Sequence, residues 1–197
     1  MYSLGLDLGQ KRDHAAVAIV ARRQGSRRYC VSHLERMPLG TSYPRVVERV
    51  REMVQDEKLR GQCRVAVDAT GVGAPVVDLL EAARLGCEVA AVTITSGERE
   101  SQSGQAWSVP KRDLIAGVQV LLEQGELRIP RSLREAGALV RELLDVRITM
   151  AGGGRVRLGA DGFGQHDDLV IALALACWRA RRGRAMAGLV SHRLPGI

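Results

Sequence analysis

Ser3-Leu4-Gly5-Leu6-Asp7-Leu8-Gly9 alternates large apolar side chains with glycine and a single acid, and its reading decides the fold. Successive side chains of a strand point to opposite faces. Leu4, Leu6 and Leu8 therefore line one face, and Gly5, Asp7 and Gly9 line the other. The glycines leave space beside Asp7 where a bulky neighbour would block a metal or a phosphate. A second acid ends a similar run, Val65-Ala66-Val67-Asp68-Ala69-Thr70-Gly71, and Asp167-Asp168 open a long apolar segment after His166. A carboxylate at the end of a hydrophobic strand or the start of a buried helix is costly unless a metal or partner compensates it. Three such positions in one chain predict a site that gathers divalent metal.

Working outward, Ala15–Ala21 is a second apolar run, and Gly25-Ser26 marks a turn before a third strand at about Tyr29–Met37. Short connections make these three an antiparallel meander. Pro44 opens a helix whose Val46, Val47, Val50, Met53 and Val54 fall at helical spacing. Gly61 precedes a fourth strand, Arg64–Asp68; a helix to about Arg84 and a fifth strand at about Glu88–Thr95 follow. The order predicts an α/β fold with a mixed five-stranded sheet flanked by helices. A right-handed crossover through the helix at 44–59 sets the first and fourth strands side by side and parallel. Asp7 and Asp68 then project together, and the helix at 166–182 delivers Asp168, Asp167 or both to the same point.

Residues 96–108 are rich in Ser, Gly, Gln and Glu and read as a polar loop. Helices follow at about 110–124 and 132–144. Val146–Met150 and Arg155–Leu158 flank Ala151-Gly152-Gly153-Gly154, which predicts an additional β-hairpin. Leu169 through Trp178 carries no charge, so its helix is buried on nearly all sides. Beyond Gly183 the Arg- and Gly-rich sequence predicts a basic, frayed tail. The expected organisation is one domain over 1–182 with a flexible tail over 183–197; no repeat or linker divides the chain.

At 197 residues the chain can bury a substantial core, and 46% apolar with 26% charged residues is an ordinary globular balance. The net charge of +7 favours a polyanionic partner. Lysine occurs only at Lys11, Lys58 and Lys111, so the charge is almost all arginine. Arginine suits phosphate geometry, and a GC-rich genome gives the same bias. The four cysteines form no C-x-x-C pair, which argues against a zinc site or disulfide framework. The N-terminus enters a strand directly, unlike a signal peptide, and no stretch of about 18 apolar residues is present to span a membrane. A cytoplasmic protein without membrane contact is expected.

Uncompensated, three close carboxylates repel one another and their pKa values rise. Mg²⁺ or Mn²⁺ removes that conflict, because hard cations take oxygen ligands. Two ions about 3.5–4 Å apart activate a water and stabilise the leaving oxygen in phosphodiester cleavage. No Ser/His/Asp order or Cys/His pair offers a stronger mechanism. Each element also has a plainer reading. Asp7 suits a strand-end turn, Asp68 a strand-to-helix turn, and Asp167 or Asp168 an N-cap. His166 is either a loop residue or a group that positions water or moves a proton. Gly71 and Gly73 suit a phosphate at a helix N-terminus. The joint occurrence of the acids is what favours a metal site.

Gly5-Leu6-Asp7-Leu8-Gly9, Val67-Asp68-Ala69-Thr70-Gly71-Val72-Gly73 and His166-Asp167-Asp168-Leu169-Val170-Ile171-Ala172 resemble the nuclease domain of phage terminase large subunits. So do Val109-Pro110-Lys111-Arg112-Asp113, Gly125-Glu126-Leu127-Arg128-Ile129-Pro130 and Leu139-x-x-Glu142-Leu143, and the resemblance covers roughly 3–182. It implies an RNase H-like fold and a nuclease that cuts concatemeric phage DNA during packaging. It also implies two divalent ions, Mg²⁺ or Mn²⁺, held by Asp7, Asp68 and a third acid, Asp168 before Asp167. The implied partners are double-stranded DNA and a separate packaging ATPase, small terminase subunit or portal. Lys111, Arg112, Arg155 and Arg157 become candidates for phosphate contacts. The chain lacks the Gly-x-x-x-x-Gly-Lys-Ser/Thr loop of the packaging ATPase. It therefore reads as a split or standalone nuclease or an expressed domain, and Met1 just before the first strand favours the standalone form. Rival readings are a resolvase-like nuclease on branched DNA and a non-catalytic DNA-binding packaging subunit. An actin-like ATPase needs two such domains, which this length does not hold.

Overall fold

In a computed structural model, which describes residues 1–9, 14–71, 74–151, 155–159 and 167–190, β1 (Tyr2–Asp7) lies inside an eight-stranded sheet. β2 (Ala16–Arg22) pairs antiparallel with it, and β3 (Tyr29–Arg36) pairs antiparallel with β2. α1 (Tyr43–Gln55) then carries the chain across to β4 (Cys63–Asp68), which lies parallel to β1 from Tyr2↔Cys63 to Leu6↔Val67. After α2 (Ala74–Ala82), β5 (Glu88–Thr95) adds parallel to β4. These five are the expected strands, in the expected order.

The sheet is wider than the sequence predicts. Within the expected polar loop, β6 (Ser101–Ser103) and β7 (Ala106–Pro110) form an antiparallel pair, and β7 lies parallel to β5. At the other edge β8 (Leu127–Arg128) pairs parallel with β3. The full order is β6-β7-β5-β4-β1-β2-β3-β8. β6 is exposed along its length and β8 has two residues, so neither shows an apolar alternation. Main-chain pairing to an existing edge makes them strands.

α3 (Lys111–Glu123), α4 (Ala136–Asp145) and α5 (Asp168–Val190) cover one face. α5 runs on past Gly183, where the sequence predicts fraying; Arg, Ala and Met on either side are strong helix formers. β9 (Arg147–Ala151) and β10 (Arg155–Gly159) form the expected hairpin as a separate two-stranded ladder.

Alternation along β1 and β4 sorts two cores. Leu4, Leu6, Leu8, Val65 and Val67 pack against α1 and α2 through Val46, Val50, Val54 and Leu80. On the other face Ala16, Ala18, Val20, Ala66 and Val92 meet the buried run Leu169–Cys177 of α5. Small residues on the strand side, Gly5, Ala16, Ala18 and Ala66, let α5 come close to the sheet. A Cβ built on Gly5 would stand 2.0 Å from the Ala172 carbonyl oxygen and 2.6 Å from the Ala176 nitrogen. The space read beside Asp7 as room for a metal or phosphate is therefore, at Gly5, filled by the α5 backbone.

Candidate metal centre

Asp7 and Asp68 end adjacent parallel strands, on the face that carries α5. α5 begins at Asp168 over the same strand ends. The electrostatics show the convergence. Burial drives the Asp7 carboxyl well above its usual range; Asp68, Asp168 and Asp167 push it the same way, and Lys111 opposes them. Burial also raises the Asp68 carboxyl, against hydrogen bonds from Thr70. The Thr70 amide donates to Asp68 Oδ1 at 2.8 Å, and Thr70 Oγ1 accepts from the Ile94 amide at 2.7 Å. This pair of bonds fixes the exit of β4 against β5.

The start of α5 is held by a residue that the sequence reading left out of the site. Glu142 of α4 accepts, at Oε2, from the amides of Leu169 (3.0 Å) and Val170 (3.1 Å). These are two of the amides that a helix N-terminus leaves without intrahelical partners. Glu142 Oε1 accepts from Arg36 Nη2. Arg36 Nε also lies 4.0 Å from Asp168 Oδ2. Burial pushes the Glu142 carboxyl up to about 7, with these partners working against it. The signal was an acid at helical spacing from Ala136 and Leu139 on the buried stripe of α4. Such an acid needs a partner.

The two consecutive acids differ in surroundings. Asp168 is 4% exposed and lies among Asp7, Glu142 and Arg36. Asp167 is more open, and its Oδ2 accepts from Lys111 Nζ at 2.5 Å. Arg112 Nη2 donates to the Glu98 carbonyl at 2.8 Å and its Nε to Asp113 Oδ1 at 3.3 Å. Lys111 and Arg112, read as phosphate contacts, thus engage protein acceptors here. His166 and Gly73 lie outside the described residues, as do the side chains of Arg155 and Arg157 on β10.

Among the described residues no three His, Cys, Asp or Glu side chains share one coordination sphere. The donor set nonetheless suits a hard divalent cation: crowded carboxylates, two of them raised in pKa by burial, are what such an ion stabilises. Without metal, the ionised form of Asp7 opposes folding. A folded pKa above the unfolded value gives stability that is present at low pH and lost as pH rises through the folded pKa. Metal-free Asp7→Asn is therefore expected to melt higher than the parent at pH 8, with the difference closing towards pH 4. A lower melting temperature at pH 8 would contradict this reading.

A mixed sheet with meander, crossover and acids at the ends of its adjacent central strands defines the RNase H-like class of domain. The chain belongs to the terminase RNase H-like domain family, whose model matches residues 4–178. Among solved structures, it is similar to the large terminase nuclease of thermophilic phage G20c with bound magnesium. That match has 26% identity and a TM-score of 0.68, and covers 91% of this chain and 81% of that one. The large terminase nuclease domain of bacteriophage SPP1 with bound manganese shares the fold, at 15% identity and a TM-score of 0.58, covering 91% and 86%. The human cytomegalovirus terminase nuclease domain, manganese-soaked and inhibitor-bound, does so at 13% identity and 0.59, covering 93% and 85%. A comparison with curated protein sequences gave no match. No helix among the described residues is long and apolar enough to cross a membrane.

Proposed function

We propose that the chain is a divalent-metal-dependent endonuclease that hydrolyses phosphodiester bonds of double-stranded DNA in phage DNA processing and packaging. The observation that carries this is the convergence of Asp68 and Asp168 on the buried Asp7 carboxyl at one end of the sheet, where burial and both acids push it towards its neutral form. That relatives of this fold were solved with magnesium or manganese supports it. Asp7, Asp68 and Asp168 would hold the metal, with Asp167 the less favoured ligand because Lys111 already engages it. A pair of Mg²⁺ or Mn²⁺ ions would supply an activated water and charge stabilisation at the leaving oxygen.

The chain's own residues do the rest. Glu142 and Arg36 hold the start of α5 so that Asp168 meets the strand ends. Lys111 offsets part of the acids' charge before DNA arrives. His166 suits water positioning or proton transfer, and Arg155 and Arg157 of the hairpin suit backbone contacts. The nuclease unit takes in residues 1–182, with basic sequence after it, and works in the host cytoplasm with a packaging ATPase, small terminase subunit or portal. Comparing cleavage of linear duplex with that of a four-way junction in Mn²⁺ tests the substrate. Duplex is expected to be cut at least as fast as the junction; strong junction preference would move the assignment to a resolvase.

A further inference from the structure

The acids occupy one end of the central strands, and the opposite end gathers positive charge. There the β2–β3 turn, Met1, Gln62 and the connection from α3 into β8 enclose a groove of about 1320 Å³. Arg22, Arg23, Arg28 and Arg128 line it, with Glu126 as the acid among its lining residues. None of these four arginines makes an ion pair among the described residues. Some arginines elsewhere do: Arg36 engages Glu142, Arg49 engages Glu35 and Arg182 engages Glu100.

The groove is held by its own hydrogen bonds. Gly25 takes φ +77° at the turn, the Ser26 amide donates to the Arg23 carbonyl at 3.1 Å, and the Arg28 amide donates to Ser26 Oγ at 2.9 Å. Arg22 lies over the Tyr29 ring at 5.7 Å and donates from Nε to the Ser26 carbonyl at 3.0 Å. The Tyr29 amide donates to the Glu126 carbonyl at 2.7 Å, which ties the second wall to the first. Arg23, Arg28 and Arg128 are exposed on this frame.

Clustered guanidinium groups without acidic partners repel one another and recruit a polyanion, and their planar forks match phosphate oxygens. Of the exposed large apolar side chains among the described residues, only Met1 borders the groove, so its exposed arginines dominate what it offers a partner. The length of β1 sets the near wall of the groove, at Met1 and Tyr2, about 17 Å from the acids, from about 3.3 Å per residue. Duplex DNA covers that distance in about five base pairs. We propose that this groove is a second contact for the phosphate backbone of the duplex cut at the acids; this rests on the nuclease reading above.

The test is duplex binding by the full chain in EDTA, which prevents cutting, at salt concentrations from about 50 to about 200 mM. The parent is compared with the triple variant Arg23→Ala, Arg28→Ala, Arg128→Ala, whose sites are exposed and whose melting temperature checks the fold. The salt slope of log K is expected to become shallower by about 2–3, and affinity near 100 mM salt to fall about tenfold or more. Lysine at the same three positions is expected to restore the slope. A parent that binds and cuts duplex while the alanine variant keeps its slope and affinity overturns the proposal alone, and leaves the groove to an acidic protein. A parent that neither binds duplex in EDTA nor cuts it in Mn²⁺ overturns it together with the nuclease reading.

Discussion

Asp168→Asn is expected to slow the nicking of supercoiled plasmid in Mn²⁺ by about a thousandfold or more, while the protein stays folded. Asparagine keeps the size of the side chain and the start of α5, and removes one negative charge from the proposed metal ligands. Losing a single preorganised electrostatic contact to a reacting centre costs on the order of a hundred- to a thousandfold, and a ligand to a catalytic ion stands at the upper end of that scale. The side chain is buried, so water has poor access to replace the lost oxygen ligand. Asp167→Asn is expected to cost about tenfold or less, because that carboxylate is more open and bound to Lys111. The opposite ranking would exchange the roles of the two acids. Activity that survived both Asp168→Asn and Asp7→Ala would end the mechanism.

Gly5→Ala is expected to be severely damaging, destabilising the chain by about 3 kcal/mol or more. The added carbon meets the backbone of Ala172 and Ala176, which cannot swing aside as a side chain can. β1 is held by ladders on both edges and α5 is packed along its buried run, so relief requires moving the helix off the sheet. For a chain of this size, 3 kcal/mol corresponds to roughly 6–12 °C in melting temperature. Displacing α5 also moves Asp168 away from Asp7, so metal binding should fall with stability. Gly137→Ala is the control: its nearest neighbour is the Arg141 guanidinium at 3.7 Å, and the site lies within α4. That change should be neutral or slightly stabilising. Equal melting temperatures for the two variants would show that the close approach at Gly5 is not a constraint.

Long periodic segments made the centre of the fold legible. β1, β4 and β5 alternate over enough residues to be read directly, and the apolar stripe of α1 marks the crossover. A right-handed crossover through that helix sets Asp7 beside Asp68. Other features depend on residues far apart in the chain. Arg36 and Glu142 meet across 106 positions, and nothing local to either predicts the other. At Gly5 the sequence shows only that space is needed and not what fills it, which is the α5 backbone. β6 and β8 escaped because their pairing is made by the main chain. Glu142 carried a usable signal: a buried acid on an amphipathic helix requires a partner, and here the partners are the start of α5 and Arg36.

The central claim is that Asp7, Asp68 and Asp168 gather divalent metal. Crystals soaked in Mn²⁺ and measured at its absorption edge test this most directly. The account predicts anomalous peaks among these three carboxylates, two of them about 3.5–4 Å apart, with Asp168 as a ligand. No peak at the strand ends at full soaking, or a peak that persists in the Asp7→Asn, Asp168→Asn double variant, would contradict it.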